Sequence, residues 1–535
     1  MNEKKTASSA RKSIALSFYT FMSRILGLLR DHYMATTFGT GWVASAFSVA
    51  YRFPNMFRNL LAEGTLSQSF MPLYSEYTKK SEEEAAVMAG SVLSFLFFLL
   101  CIFVSGFILS APFFIPYLVG GTEKYSGLVI ELSSILFFFI MTSSLSSIFM
   151  AISNTRDKFF VPSLSPILLN IVFLIILVIV FLFIQNSLER IRVLSYGITL
   201  GGVLQLLLQS FYVKKLGYSP VLNLNWKHPA IKKIFQLMLP AAIGGGFYHI
   251  SLLTDVFLAN YIQNQNPGLG AVVSLDYSQR LIQFPTGIIG VALATTILPT
   301  LLGSLRRNDI NEIPEELSHT LSFSLFLTIP ASICFLFLGE IILDSIYFGG
   351  KWDHKATQTA LMALNYYSFA IPMYSMNKVV TSSYYAFKDT RHPLRINAIS
   401  FSFNIAFNLL IIHFMKHAGL ALSSALSASL TFILLFLGLK KHSIPIPVSK
   451  FWKENVLLFF PILGLILVLA LYRFFFHLEV MNFIKSIGFS HGNTSRLCLS
   501  GIMSFAILVY LFICHLSGLE AFKVLKDRFR RKVKT

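Results

Sequence analysis

The sequence predicts an all-α polytopic membrane protein of about 14 transmembrane helices, arranged as two parallel six-helix repeats around a central cationic cavity, with two extra C-terminal helices. Three observations predict this. Apolar runs of membrane-spanning length recur from one end of the chain to the other. Basic residues gather in alternate loops. Short motifs return in the same order about 230 positions apart, the pattern of an internal duplication.

The apolar runs come first. Of 535 residues, 55% are hydrophobic and 13% are charged; an ordinary soluble domain carries about 25% charge. Helices are expected near residues 13–38, 42–64, 84–112, 126–153, 160–184, 191–213, 232–262, 269–304, 317–342, 358–386, 394–415, 418–439, 453–476 and 496–518. Several exceed the roughly 20 residues needed to span, so tilts and bends are expected. Pro54, Pro285 and Pro330 lie within spans and favour bends there.

Loop charge sets the orientation. The net charge is +19, and Lys and Arg outside the spans fall about three to one in the loops that are cytoplasmic if the N-terminus is inside. Both termini are therefore expected in the cytoplasm. A nucleic-acid partner is not expected, because these cations sit in short loops rather than on a basic folded surface with interleaved aromatics. The tail FKVLKDRFRRKVKT is a juxtamembrane basic cluster, suited to topology anchoring or to anionic headgroups. No small-residue cleavage site follows the first apolar run, so no removable signal peptide is expected. Cys101, Cys334, Cys498 and Cys514 lie in apolar segments without metal-ligand or disulfide spacing, as buried small hydrophobes do.

The repeats come third. Ala151–Arg156 (AISNTR) returns as Ala386–Arg391 (AFKDTR), and Leu66–Pro72 (LSQSFMP) as Leu293–Pro299 (LATTILP). Lys214-Lys215 after the sixth helix matches Lys440-Lys441 after the twelfth. An even number of helices separates the copies, so they share one orientation. The division expected is an N-terminal lobe over 1–220, a C-terminal lobe over 221–445, and the last two helices with the basic tail over 446–535.

Six cations fall inside spans: Arg24, Arg30, Arg52, Arg58, Arg280 and Lys378. Each costs about 2.5–3.5 kcal/mol at the bilayer centre, so such groups face a wet cavity or a partner. At a rise of about 1.5 Å per residue, Arg24, Arg52 and Arg280 all reach roughly the midplane. Two readings compete: an anion site, or ion pairs and snorkelling with the acids Asp31, Glu63, Asp255 and Asp276. The anion reading is favoured for the midplane three, since these acids are few and scattered. A phosphate suits arginine because the planar fork bonds two oxygens at once. For Lys378, near a helix end, snorkelling is expected. Gly27 and Asp31 share a helix face with Arg24; the glycine permits a bend or a close approach, and Asp31 and Glu63 are candidate charge-pairing or gating acids. Gly27 and Pro54 are the candidate hinges.

A second constellation comprises Asp255, Asn404, Asn408 and Ser424. One carboxylate, two amide oxygens and a hydroxyl suit a small hard cation such as sodium; the same residues equally suit hydrogen bonds between helices. The chain has no P-loop, no HExxH, no paired-cysteine zinc pattern and no acidic magnesium cluster. No catalytic residues are expected and no cofactor is required beyond a possible sodium ion.

The N-terminal third carries a family resemblance. Ser23–Asp31 (SRILGLLRD), Tyr51–Arg58 (YRFPNMFR) and Ala62–Pro72 (AEGTLSQSFMP) resemble the MurJ (MviN) lipid II flippases, as does Arg280–Ala294 (RLIQFPTGIIGVALA) in the second half. Gly201–Gln205 (GGVLQ) and Lys416–Leu420 (KHAGL) extend the resemblance over essentially the whole chain. It implies the fold of the multidrug/oligosaccharidyl-lipid/polysaccharide exporter superfamily, with two lobes around a cationic cavity and two extra helices forming a lipid-tail groove. It implies transfer of lipid II, a polyprenyl-diphosphate-linked cell-wall precursor, from the inner to the outer leaflet of a bacterial cytoplasmic membrane by alternating access.

The family's functional arginines map onto Arg24, Arg30, Arg52, Arg58 and Arg280, and the sodium ligands of some members onto Asp255, Asn404, Asn408 and Ser424. Lipid II, membrane lipids and the cell-wall synthesis machinery are the implied partners. Ser45 and Gln279 stand where relatives can carry acids, which leaves this cavity more positive. The alternatives are a flippase for another diphosphate-linked oligosaccharide and a drug exporter of the same superfamily. A drug-cation exporter is expected to place acids, not arginines, at its centre. An enzyme of the same pathway would need a catalytic acid or metal site, and the sequence shows none.

Overall fold

The computed structural model describes residues 2–58, 66–221, 223–307, 309, 312–442, 451–452, 455–523 and 525–526. Glu63 lies outside them. Among the described residues the chain is helical, and the one sheet-like feature is an isolated bridge between Gly349 and Trp352. Nine described segments are long and apolar enough to cross a membrane.

Contacts divide the chain into two units, Met1–Gly268 and Leu269–Thr535. The first holds α1 (Asn2–Phe38), α2 (Trp42–Phe57), α3 (Ser67–Thr78), α4 (Glu82–Val119), α5 (Glu123–Thr155), α6 (Phe160–Phe183), α7 (Ser187–Lys215) and α8 (Pro229–Gln265). Local chemistry sets the helix starts. Ser81 caps α4 by accepting from the Glu84 amide at 3.0 Å, and Glu82, Glu83 and Glu84 oppose the helix dipole. Thr122 and Asn186 cap α5 and α7 in the same way. The core is aromatic: Phe107 stacks on Phe137 at 3.4 Å between ring centroids, and Phe53 meets Phe257 at 5.8 Å.

The Gly201-Gly202 motif is a packing device. A Cβ on Gly202 would lie 2.4 Å from Thr142 Oγ1 and 2.6 Å from Phe139 Cδ2, so only glycine lets α7 approach α5 this closely. One turn on, Gln205 donates to the Ser165 carbonyl at 2.9 Å and Gln209 to the Val161 carbonyl at 3.0 Å, tying α7 to α6.

α8 packs with the first unit, whereas the sequence division opens the C-terminal lobe with it. The reason is a polar anchor at its C-terminal end. Tyr125 donates to Asn260 Oδ1 at 2.6 Å, Asn260 and Asn264 both donate to the Val119 carbonyl, and Ser45 donates to Gln263 Oε1 at 3.0 Å.

The second unit begins with α9 (Ala271–Pro285), a π-helical turn Thr286–Gly290, and α10 (Val291–Arg306). Then come α11 (Glu312–Tyr347), α12 (His354–Ala386) and α13 (Arg391–Gly438). The sequence expects one helix over 269–304; the π turn divides it just after Pro285, whose missing N–H and ring disturb the ladder. The break expected between 415 and 418 falls at Lys416, with φ 50° and ψ −137° inside α13. The chain ends in α14 (Phe459–Leu471), a π turn Tyr472–Phe476, α15 (His477–Ser486) and α16 (His491–Leu516). Arg473 pairs with Glu340 of α11, and Tyr510 donates to the Phe326 carbonyl at 2.8 Å, so these last helices are fastened to α11. Cys334, Cys498 and Cys514 are buried and Cys101 is half-buried; all four are free.

One pair of repeat motifs does not share a structural position. Ala151–Thr155 forms the last turn of α5, with Arg156 as its cap, whereas Ala386 ends α12 and the rest of AFKDTR turns into α13. The turns themselves correspond better, each placing a non-glycine residue at positive φ, Asp157 at 57° and Lys388 at 58°. At the first turn Arg156 closes on Glu82, with its guanidinium 4.3 Å from the Tyr218 ring. Burial beside this pair pushes the Tyr74 hydroxyl above its ordinary range, against the smaller opposing pull of Arg156.

Candidate functional site

α1 carries Arg24 and Arg30. Arg30 is held on two sides. Its Nε and Nη2 donate to Asp31 Oδ1 at 3.1 and 2.9 Å, and its Nη1 donates to Asn170 Oδ1 at 3.1 Å. Asn170, buried on α6, donates in turn to the Ser23 carbonyl at 3.1 Å, one residue before Arg24. The Phe173 ring lies 5.3 Å from the Arg30 guanidinium. α1 is thus sewn to α6 around its arginines. Asp31 is paired with Arg30, its chain neighbour; its role as a restraint for Arg24 stays an expectation from the sequence. Arg24 is half-buried.

A Cβ on Gly27 would meet nothing within 4 Å, so close backbone approach does not explain this glycine, and α1 runs unbroken through it. Its remaining contribution is the added backbone freedom of a residue without Cβ.

α2 carries Arg52 and Arg58, both half-buried, on either side of the buried Pro54. Arg58 Nη2 donates to Asn55 Oδ1 at 2.9 Å. His249 of α8 lies within electrostatic reach of both Arg52 and Arg58. Two arginines therefore share one neighbourhood of the first unit, which is a poor place for a further cation and a good one for an anion. Ser45 is buried and bonded to Gln263.

In the second unit Arg280 donates through Nη2 to Asp276 Oδ2 at 2.9 Å, one helical turn back on α9, with the Tyr277 ring 5.6 Å away. The Arg280 side chain keeps 29% exposure, against 10% for Asp276. The guanidinium thus has a fixed partner and an accessible edge. Gln279 is buried.

Lys378 corrects the snorkelling expectation. It is half-buried and donates through Nζ to the Thr286 carbonyl at 3.2 Å. That carbonyl belongs to the π turn, where the regular i to i−4 ladder is broken and an acceptor is available. Gly290 completes the fit. A Cβ there would sit 3.0 Å from Ser375 Cα and 3.1 Å from Lys378 Cδ.

The proposed sodium ligands are distributed over both units. Asp255 is buried in the first. In the second, Asn404 donates to Ser423 Oγ at 3.1 Å, Ser423 donates back to the Asn404 carbonyl at 3.0 Å, and Asn408 donates to Asn404 Oδ1 at 3.3 Å. Ser424, the serine named from the sequence, is buried, and the neighbouring Ser423 bonds to Asn404. What is observed here is hydrogen bonding between the two limbs of α13.

Sequence reasoning missed Asn170, His249 and Ser423. Asn170 is a single polar residue in an apolar run, and none of the three carries a periodic or motif signal; intramembrane polarity was the one available pointer.

Among the described residues this helical arrangement is that of a multi-pass membrane protein. The chain is similar to a solved inward-facing multidrug resistance MATE family transporter of the MOP superfamily, with TM-score 0.67 and 12% identity, covering 80% of this chain and 98% of that one. Residues 34–489 match the family model described as lipid II flippase MurJ, and the chain belongs to that family. Relatives include a probable lipid II flippase MurJ of Vibrio cholerae, 32% identical over 448 residues, covering 80% of this chain and 82% of the relative. Another, with the same description, is from Rhizobium tropici, 30% identical over 441 residues and 81% of each chain. A solved lipid II flippase MurJ in an inward closed conformation aligns with TM-score 0.76 and 25% identity, covering 94% of this chain and 98% of that one.

Proposed function

We infer that this multi-pass membrane protein is a lipid II flippase, which moves the lipid-linked peptidoglycan precursor from the inner to the outer leaflet of the cytoplasmic membrane. The observation that carries the inference is the family match across residues 34–489. The chemistry agrees with it. A diphosphate offers several oxygens, and arginines that are only partly buried offer planar forks to receive them.

The finer picture is a proposal of the same kind. About 14 spans form two parallel six-helix lobes with both termini in the cytoplasm, and Arg24, Arg52 and Arg280 grip the diphosphate between the lobes. The polyprenyl tail stays in lipid along α14 and α16. An inside-negative potential favours outward movement of the anion, by about 2.3 kcal/mol per charge per 100 mV of full traversal. Sodium at Asp255, Asn404, Asn408 and Ser424 remains a proposal that rests on oxygen-ligand chemistry.

The test is depletion of this protein in living cells, followed by identification of the lipid-linked precursor that accumulates in the inner leaflet. Accumulation of lipid II is expected. Accumulation of a different diphosphate-linked oligosaccharide, with lipid II unchanged, would overturn the assignment.

A further inference from the structure

We propose that Asp344, His354 and His491 form a binding site for a divalent transition metal, zinc foremost, that joins the α11–α12 hairpin to the start of α16. One ligand atom from each residue lies within 4.8 Å of those of the other two. All three residues belong to the second unit. Asp344 sits in the last turn of α11, His354 is the first residue of α12, and His491 is the first residue of α16. Residues far apart in the chain are thus brought to one point by helix ends.

The donor chemistry selects the ion. Two imidazoles and one carboxylate suit zinc and its neighbours in the first transition row; magnesium and calcium prefer all-oxygen sets. Zinc bonds of 2.0–2.1 Å in a tetrahedron put ligand atoms about 3.3 Å apart. His491 Nε2 and Asp344 Oδ2 already lie 2.9 Å apart, so the exposed His354 is the side chain with the freedom to close the triangle. Three protein ligands leave a fourth position for water.

Outer contacts orient the ligands as metal sites require. Asp344 is buried, and its second oxygen accepts from Thr357 Oγ1 at 2.7 Å. Thr357 in turn accepts from Trp352 Nε1 at 3.0 Å. With Oδ1 bonded to Thr357, Oδ2 faces His491. The His491 ring lies 4.3 Å from the Phe348 ring and 5.0 Å from His354 between centroids, which restricts its rotation. Arg496, one turn into α16, donates to the Ser345 carbonyl at 2.9 Å and fixes the same two helix ends without using any of the three ligands. The proposal does not depend on lipid II transport.

The test uses the full-length protein purified without a polyhistidine tag, stripped with a chelator, and dialysed against zinc chloride. Bound zinc is measured by mass spectrometry, affinity by titration, and geometry by the visible spectrum after cobalt(II) substitution. Wild type is expected to bind one zinc per chain, to unfold at a higher temperature with zinc, and to show a four-coordinate cobalt spectrum. His354→Ala leaves the Asp344–His491 contact intact, so its metal-free unfolding is expected to match wild type while its zinc affinity falls at least about 10-fold. Thr357→Val, which frees the carboxylate, is expected to weaken binding by about 10–100-fold. Failure of the wild type to bind zinc, or equal affinity in His354→Ala, overturns the proposal.

Discussion

Asn170→Ala tests how the arginine-bearing helix is held. The substitution removes the acceptor of Arg30 Nη1 at 3.1 Å and the donor to the Ser23 carbonyl at 3.1 Å. A hydrogen bond to a charged group contributes about 1.5–3 kcal/mol and a neutral one about 0.5–1.5 kcal/mol. The total of about 2–4.5 kcal/mol is reduced toward its lower end, because Asp31 still holds Arg30 and the Arg30 side chain is 20% exposed. We therefore expect a loss of about 2 kcal/mol, concentrated at the α1–α6 contact. Ser23→Ala is the control: Asn170 bonds chiefly to the Ser23 backbone, the hydroxyl being 3.4 Å away, so little change is expected. The assays are thermal unfolding in detergent and amide exchange across α1, with rescue of growth after depletion of the native protein as the functional measure. Unchanged exchange in α1, with stability within about 0.5 kcal/mol of wild type, would refute the tether.

Three further outcomes are expected. Arg24→Lys should be clearly impaired in growth rescue and Arg24→Ala inactive, because lysine keeps the charge but not the fork; full activity of Ala variants at both Arg24 and Arg280 would end the phosphate-clamp mechanism. Lys378→Met should destabilise the π turn by about 1.5–3 kcal/mol, seen as a lower unfolding temperature, whereas a snorkelling lysine would tolerate the change. Asn404→Ala should lower stability to the same extent with and without sodium if the buried network is purely hydrogen-bonded; a stabilisation by sodium in wild type that the variant lacks would instead establish the ion.

Much of the fold was legible because a membrane leaves few choices. Every spanning backbone group must be satisfied within its own helix, so apolar length alone marks most helices. The break at Lys416 was readable because two apolar runs meet there at a basic residue. The π turn at Thr286–Gly290 was not readable, because nothing in FPTGIIG distinguishes a π turn from a simple proline bend until Lys378 is seen reaching its carbonyl. The arginines were legible as an expensive set of charges, but their partners were not. Asp276 lies one turn from Arg280 and was a natural candidate; Asn170 is 140 residues from Arg30, and only tertiary packing joins them. The cluster at Asp344, His354 and His491 escaped for the same reason, since its ligands are spread over three helix ends rather than a local motif.

The pairing of Arg30 with Asp31 and of Arg280 with Asp276 has a mechanistic consequence. A bare guanidinium in a membrane is costly and would hold a diphosphate too firmly to release it. A carboxylate on the same helix neutralises much of that charge when no ligand is bound, and it costs little to keep, since both partners are already ordered by one helix. If these arginines receive the diphosphate as proposed, an arriving phosphate would exchange with the carboxylate for part of the guanidinium edge instead of meeting an isolated cation. Binding strength would then be a difference between two ion pairs, which permits both capture and release. Removing the acid should therefore tighten ligand binding and slow turnover. Asp276→Asn, which keeps the shape and loses the charge, separates these effects. Its purified form should bind an inorganic diphosphate probe more tightly than wild type while supporting growth less well. Weaker diphosphate binding in Asp276→Asn would show that the carboxylate positions Arg280 rather than competing for it.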